Sequence, residues 1–373
     1  MKLHRKTGTE VKDIMLERAI LVGVKLKRGQ DFDFESSMDE LEGLTEAAGG
    51  EVIATMVQAQ DRTNRSTYIG KGKLQELTNL VAELEPDLVI VDSELSPVQL
   101  RNLEEAIEVK IVDRTMLILD IFSQRAQTRE GILQVELADL EYRLPRLMGR
   151  GAEMSRLGGG IGTRGAGEQK LELDRRRIRK RIRDIKKQMQ KVESTRQLHR
   201  KQRQRAGLKT ISLVGYTNAG KSSLFNTLCK SAHRSGTEQV EADARMFQTL
   251  DTTTRKISLP SGMEVLITDT VGFIQNLPHH LVAAFRSTLE EAVDADILVQ
   301  VVDVAAEDHM EKGQVVEKVL QELGAEQEKI LTVFNKADLI DFDPVRENGS
   351  CFVSAKTGAG VADLLLKIEA KLQ

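Results

Sequence analysis

Eight consecutive residues, Gly215-Tyr216-Thr217-Asn218-Ala219-Gly220-Lys221-Ser222, set two glycines, a lysine and a hydroxyl at the spacing G-x-x-x-x-G-K-S. That combination does phosphate chemistry. Glycines let backbone N–H groups close around phosphate oxygens, the lysine answers their charge, and the hydroxyl is a hard ligand for Mg²⁺. The flanks decide whether the pattern is accidental. Thr210–Val214 reads as a strand and Ser223–Leu228 as a helix, so the helix N-terminus faces the bound anion. A chance glycine-rich turn has no reason to carry both flanks. Lys221 is expected on the β- and γ-phosphates and Ser222 on the metal.

The base is argued farther down the chain. Asn335-Lys336-Ala337-Asp338 follows the apolar strand Ile330–Phe334. The Asp338 carboxylate can accept from both N1–H and N2–H₂ of guanine, a donor pair that adenine lacks, so GTP and its product GDP are favoured over ATP. Ser354-Ala355-Lys356, after the strand Cys351–Val353, offers a backbone amide to guanine O6. Each short motif is weak alone; in this order with the phosphate loop the set is specific.

Between them, Asp269-Thr270-Val271-Gly272 closes the strand Val265–Thr268. Asp269 is expected to hold Mg²⁺ through water and the Gly272 N–H to touch the γ-phosphate, so the segment senses whether that group is present. The metal-binding switch threonine is one of Thr249, Thr252, Thr253 and Thr254. A strand at Lys256–Leu259, a Ser261-Gly262 turn and a return strand must fit before Asp269, which favours Thr249. Lys221, Thr249 and Gly272 are the candidate catalytic residues. Phe273 stands where many GTPases place a Gln that orients the attacking water, and an aromatic ring has no such hydrogen bond to give. Slow intrinsic hydrolysis is therefore expected, raised by a partner that orders the switches or lends a polar group. Gln275 is a candidate substitute.

These loops need sheets to hold them. A chain of 373 residues is long for one core, so two or three domains are expected. Hydrophobic residues at 40% and charged residues at 30% exclude global disorder. From Arg18 to about Phe122, apolar segments at Ala19–Val24, Val52–Val57, Leu88–Val91 and Val109–Val112 alternate with helical patterns at Met38–Ala48, Lys73–Glu85 and Pro97–Ile107. This predicts an α/β domain with a largely parallel sheet and no catalytic constellation. Its Tyr68–Lys73 stretch has glycines and lysines without phosphate-loop spacing, and reads as a turn that opens a helix. Cys229 and Cys351 are too few for a disulfide framework or a zinc site; they read as buried small hydrophobes in a reducing compartment. No apolar run approaches the roughly 18–20 residues of a membrane span, and Met1–Lys6 does not lead into a signal-peptide core, so a soluble cytoplasmic protein, taken as a monomer, is expected.

The middle of the chain changes character. Leu133, Leu137, Leu140, Leu144 and Leu147 form one helical stripe, and Ile178, Ile182, Ile185, Met189 and Val192 another. Gly149–Gly167, with eight glycines plus Arg150, Arg156 and Arg164, separates them, so an antiparallel helical hairpin with a long tip is expected. Pro145 lies inside the first stripe and puts its boundary in question. The second arm conceals charge. Lys170–Arg205 holds sixteen Lys or Arg against four acids, a net +12, leaving −15 elsewhere to give the chain's −3. A solvated face would mix signs; a single-sign excess suits phosphate binding. Aromatics at 3% and no Trp argue against base stacking as the main grip. The expected architecture is α/β: an N-terminal α/β domain (1–131), a helical hairpin (132–206) and a P-loop GTPase domain of Ras-like type (207–373).

Several of these segments together carry a family resemblance. Phe122-Ser123-Gln124-Arg125-Ala126-Gln127-Thr128-Arg129-Glu130-Gly131, the glycine-rich Leu157–Gly167 with Glu168, Leu171-Glu172-Leu173-Asp174-Arg175-Arg176, and Phe247-Gln248-Thr249-Leu250-Asp251 resemble HflX GTPases from about residue 18 to the end. The GTPase motifs are shared by many translational GTPases, whereas the two central segments are far more specific. The resemblance implies binding to the large ribosomal subunit and ribosomal RNA, insertion of the hairpin loop towards the peptidyl transferase centre, and GTP-dependent splitting of stalled ribosomes. It implies phosphate contacts at Gly215–Ser222, Mg²⁺ at Ser222 and Thr249, a switch at Phe247–Asp251, γ-phosphate sensing at Asp269–Gly272 and base recognition at Asn335, Lys336, Asp338 and Ser354–Lys356. Many relatives continue into a small C-terminal domain; here the helix Val361–Leu372 is expected to finish the GTPase domain before Gln373. A ribosome-assembly GTPase shares most of these features, and an RNA chaperone with incidental GTP turnover is a reading of another class. An ATP-driven helicase has no use for the guanine-selecting motif, although the N-terminal domain leaves room for a second nucleotide.

Overall fold

The structure, a computed structural model, describes residues 16–27, 31–147, 166–205, 207–232, 246–247, 250, 252–275, 293–340 and 351–373. Gln248, Thr249 and Asp251, the hairpin tip from 149 to 165 with its three arginines, and Met1–Lys6 lie outside the described residues. The chain divides into two compact units, residues 1–121 with 139–180, and residues 122–138 with 181–373.

In the first unit, β1 (Glu17–Leu26), β2 (Gly50–Gln60), β3 (Leu88–Val91) and β4 (Lys110–Asp113) form a parallel sheet in the order β2-β1-β3-β4. Helices α1 (Asp31–Ala48), α2 (Lys71–Leu84) and α3 (Pro97–Ile107) make the crossovers that parallel pairing demands. The inner strands are apolar on both faces: β1 is buried from Ala19 to Val24 and β3 throughout, while edge strand β2 buries Met56 alone. Ile20, Val89 and Ile111 share a core with Leu77 and Val81 of α2 and Leu103 and Ile107 of α3. Helix α3 begins where Ser96 and Gln99 cap each other and Pro97 takes the first helical position. Gly70 opens α2, so the Tyr68–Lys73 stretch is the helix-opening turn its spacing suggested. One feature left no trace in the apolar pattern. Arg114 is buried between Glu40 and Asp92, each at 2.5 Å, beside the ends of β3 and β4. Paired charges brace the sheet there, since either alone would suffer a desolvation penalty of several kcal/mol.

Helix α4 (Arg114–Arg125) leads through a short turn into α5 (Arg129–Arg146), which continues one residue past Pro145. The end of α5 is held in place by the Tyr142 hydroxyl on Asp113 and by Arg146 on the Leu95 carbonyl at 2.8 Å. Helix α6 (Ala166–Arg205) takes in the last two residues of the glycine-rich segment. Within the second unit α5 and α6 are antiparallel: Arg181 makes a bidentate pair with Glu136 at 2.6 Å on both arms, and Arg129 reaches Gln188 at 3.4 Å. Ile182 and Ile185 are the buried members of the α6 stripe. The opposite face carries Arg176, Lys180, Arg183, Lys187 and Lys191, all exposed, at steps of three and four residues.

The second unit is a six-stranded sheet of order β10-β9-β8-β5-β7-β6, built from β5 (Lys209–Gly215), β6 (Thr253–Ser258), β7 (Glu264–Asp269), β8 (Ile297–Asp303), β9 (Ile330–Asn335) and β10 (Cys351–Phe352). All neighbours are parallel except β6 and β7, the hairpin expected between the threonines and Asp269, whose turn sets Gly262 at φ 88°. Among the described residues, helices α7 (Lys221–Ser231), α8 (His309–Glu322) and α9 (Val361–Leu372) accompany it. Its core joins Ile211, Leu213, Phe225, Val299 and Val333 to Leu364 and Ile368 of α9. Cys229 and Cys351 are buried in that core as free thiols, as their sequence context suggested, and burial raises both pKa values. Among the described residues no helix is long and apolar enough to cross a membrane.

Candidate functional site

The carboxyl ends of β5, β7, β8 and β9 bring three sequence motifs together, as open parallel sheets do. The loop after β5 needs its glycines for space. A Cβ on Gly215 would lie 2.3 Å from the Val301 carbonyl oxygen, and one on Gly220 would lie 2.3 Å from Asn335 Nδ2. Asn218 sits at the exposed apex with φ 59°, a left-handed conformation asparagine tolerates better than most residues. Lys221 opens α7 and is buried, its Nζ donating to the carbonyls of Gly215 at 3.0 Å and Tyr216 at 2.7 Å. Burial pushes the Lys221 amine down to about 8, with the Asp269 carboxylate pulling the other way.

One residue farther into the helix, Ser222 Oγ donates to Asp269 Oδ2 at 2.6 Å, and Asp269 is fully buried. A hydroxyl and a carboxylate therefore converge beside the phosphate loop. Two protein oxygens, with phosphate and water completing the shell, are the donor set Mg²⁺ takes in nucleotide sites, so these residues fit it. Thr270 is fixed by its hydroxyl on the Leu213 carbonyl at 2.6 Å, and Val271 is buried. Gly272 packs so closely that a Cβ there would lie 2.8 Å from Thr217 Cα and 3.1 Å from Lys221 Nζ. The following Phe273 is buried and bonded to the loop through its backbone, its N–H to Gly215 O at 3.1 Å and its carbonyl to Thr217 N at 2.7 Å. Gln275 is buried, with its N–H on the Tyr216 hydroxyl at 2.7 Å.

On the base side, Asn335 is a clamp. Its Nδ2 donates to the Ala219 carbonyl at 2.9 Å and its Oδ1 accepts from Ala355 N at 3.0 Å, so one buried side chain ties the phosphate loop to the Ser354–Lys356 loop. Lys336, at φ 64°, pairs with Asp303 at 2.6 Å. Asp338 is exposed and accepts from the Ser354 hydroxyl at 2.6 Å. That bond, and then the Lys356 and Lys336 charges, hold its carboxyl below the usual carboxylate range, which favours the acceptor-only ionised form. Ala337 N bonds the Val353 carbonyl at 3.1 Å, and Phe334 stacks on Phe352 with centroids 5.0 Å apart, holding the two base loops in register.

Phe247 and Leu250 of the predicted switch segment are both buried. Thr253 and Thr254 lie in β6, with Thr254 Oγ1 2.9 Å from Thr268 Oγ1, so two of the four threonines considered for the metal belong to the sheet. Sequence reasoning missed three things: the Tyr216 hydroxyl as a partner for Gln275, the internal bonds at both ends of the Asn335 amide, and Phe122 packing edge-on against Phe247. Residue spacing carries no signal for pairings made across 20 to 125 positions.

Comparison with known proteins agrees with this geometry. Three family models match in order: GTP-binding GTPase N-terminal over residues 35–123, GTP-binding GTPase Middle Region over 125–203, and 50S ribosome-binding GTPase over 210–336. A GTPase HflX of Caldanaerobacter subterraneus subsp. tengcongensis is 51% identical over 356 residues, 95% of this chain and 81% of that protein. That of Escherichia coli K12 is 40% identical over 363 residues, covering 95% of this chain and 83% of its own length. Among solved structures, one described as an SsGBP and GDP complex aligns with a TM-score of 0.52 and 25% identity, covering 95% of this chain and 98% of that one. The Asn335 motif is tied to the phosphate loop through the Ala219 carbonyl, these matches cover both segments, and the chain belongs to the HflX family of GTPases.

Proposed function

We propose that this protein is a GTP-switched factor that binds the large ribosomal subunit through ribosomal RNA and separates stalled or stress-arrested particles. The observation that carries the reading is the presence, in one compact unit, of the nucleotide site and of residues 181–205 of α6, whose exposed basic stripe has the single-sign charge that phosphate backbones attract. The match to a family described as 50S ribosome-binding GTPases supports the same partner. In this reading residues 1–131, 132–206 and 207–373 act as three functional segments, and the protein works as a cytoplasmic monomer.

At the site, Lys221 offsets charge on the transferring phosphoryl group, the Gly272 N–H reports its presence, and Thr249 with the Phe247–Asp251 segment serves as the switch. Gly215–Ser222 cradle the phosphates; Asp338 and the Ser354–Lys356 loop select guanine, with Asn335 and Lys336 holding that loop in shape. Ser222 and Thr249, with Asp269 acting through water, would hold Mg²⁺, which would neutralise phosphate charge. Phe273 has no polar group for the attacking water and its backbone is already bonded to the phosphate loop, so hydrolysis depends on a partner.

Coupling requires unequal ribosome affinities in the two nucleotide states, since equal affinities shift nothing. Sedimentation of stalled ribosomes with GTP, GDP or a non-hydrolysable analogue decides it. Subunit separation is expected with the triphosphate; no separation in any state would remove the splitting role. Exclusive binding to immature particles would point instead to assembly, and RNA remodelling that survives Lys221→Ala would point to a chaperone.

A further inference from the structure

Phe247 combines three observations that the nucleotide site alone does not explain. Its backbone has φ 53°, a region bulky side chains avoid. Its N–H donates to Thr217 Oγ1 of the phosphate loop at 3.3 Å. Its ring, 3% exposed, meets the ring of Phe122 edge-on, with centroids 4.7 Å apart and an interplanar angle of 84°. A strained conformation persists only where its surroundings over-determine it, and such positions collect in switch regions. Here the surroundings are the phosphate loop on one side and the last turn of α4 on the other, and the residue lies two positions before Thr249.

Phe122 leads onward to the basic arm. Its carbonyl accepts from Ala126 N at 2.9 Å, Thr128 then caps the start of α5 through Gly131 N at 3.0 Å, and Glu130 pairs with Arg196 of α6 at 2.8 Å. Farther along, Glu136 holds Arg181. Every member of this series lies in the second unit.

We propose that the Phe122–Phe247 ring pair is the link between the phosphate loop and the 181–205 part of α6, so that Phe122 is a positioning residue for nucleotide-dependent binding although it lies outside the nucleotide motifs. The inference rests on the functional reading above. A shift of the phosphate loop reaches Phe247 through the Thr217 hydrogen bond and Phe122 through the ring contact, and from Phe122 the series runs within the second unit through Thr128 and Glu130 to Arg196. An edge-to-face pair transmits such a shift because its geometry is specific. A leucine fills similar space without that constraint.

The test uses the full chain, purified large ribosomal subunits, and GDP or a non-hydrolysable GTP analogue, comparing wild type with Phe122→Leu, Phe247→Leu and the double variant. For wild type the ratio of subunit affinities in the two nucleotide states is expected to be about tenfold or more. Phe122→Leu should bring that ratio to within about twofold while leaving GDP affinity within about twofold, and the double variant should be no worse than either single one. Retained GDP affinity shows that the site is folded; if Phe122→Leu loses it, Phe122→Met takes its place. A variant that keeps the wild-type ratio, or single effects that simply add, overturns the link alone. A wild type with no nucleotide dependence overturns the functional reading, and the link with it.

Discussion

Lys221 and Asn335 show how much the site depends on buried polar groups that the protein itself holds in place. Burial pushes the Lys221 amine down to about 8, and a bound phosphate would hold the proton on it. Above that pH the free protein has lost a proton that the complex retains, so binding must take one up and affinity falls with rising pH, by at most about tenfold per unit. Below about pH 7 both states are protonated and the curve is flat. GDP titrations from about pH 6.5 to 9.5 are expected to show that shape, and a flat profile throughout would contradict it. Asn335→Ala removes both ends of the clamp and leaves the Ala219 carbonyl and the Ala355 N–H unmatched. Each buried orphan costs about 1–3 kcal/mol, so calorimetry should find GDP bound at least about tenfold more weakly and the melting temperature lowered. The phosphate-loop motif was readable from residue types; that Asn335 serves the loop through its side chain was not, because its two partners stand 116 and 20 positions away.

Elements were legible wherever one physical period dominated. The continuous apolar runs at Ala19–Val24 and Leu88–Val91 became the inner strands of a parallel sheet, since burial on both faces removes the need for alternation. The Ile182 and Ile185 positions face inwards on α6 and leave Arg183, Lys187 and Lys191 exposed on the opposite side. If that stripe meets RNA phosphates, replacing the three by Ala should weaken large-subunit binding and flatten its salt dependence by roughly 0.7–0.9 in the log–log slope for each phosphate no longer neutralised. GDP affinity should not change. Binding measured across a salt series checks this, and an unaltered slope would place the RNA-binding surface elsewhere. Pro145 marks the last turn of α5, which ends at Arg146, short of Leu147 in the predicted stripe, and there the Arg146 side chain bonds the Leu95 carbonyl.

At the scale of the molecule, the absence of a polar group at Phe273 bears on how the protein is timed. Its ring is buried and its backbone is bonded to the phosphate loop, so the isolated chain is expected to hydrolyse GTP slowly and the large subunit to accelerate it. Single-turnover hydrolysis with and without subunits measures both rates, and fast hydrolysis by the protein alone would remove the need for a partner. Charge belongs to this scale as well. The chain's −3 is a sum of a +12 segment and a −15 remainder, and placing that segment on one long helix turns a cancelled number into a surface. By itself the sequence determined the nucleotide chemistry, the guanine preference, the two sheets and the basic arm, because each is written in residue type and short-range spacing. Only the tertiary structure decided that Asn335 clamps two loops, that Arg114 is enclosed by Glu40 and Asp92, and that Phe122 meets Phe247. Those pairings join residues 20 to 125 positions apart, and a period of two or 3.6 holds no information about which distant side chains close packing will bring together.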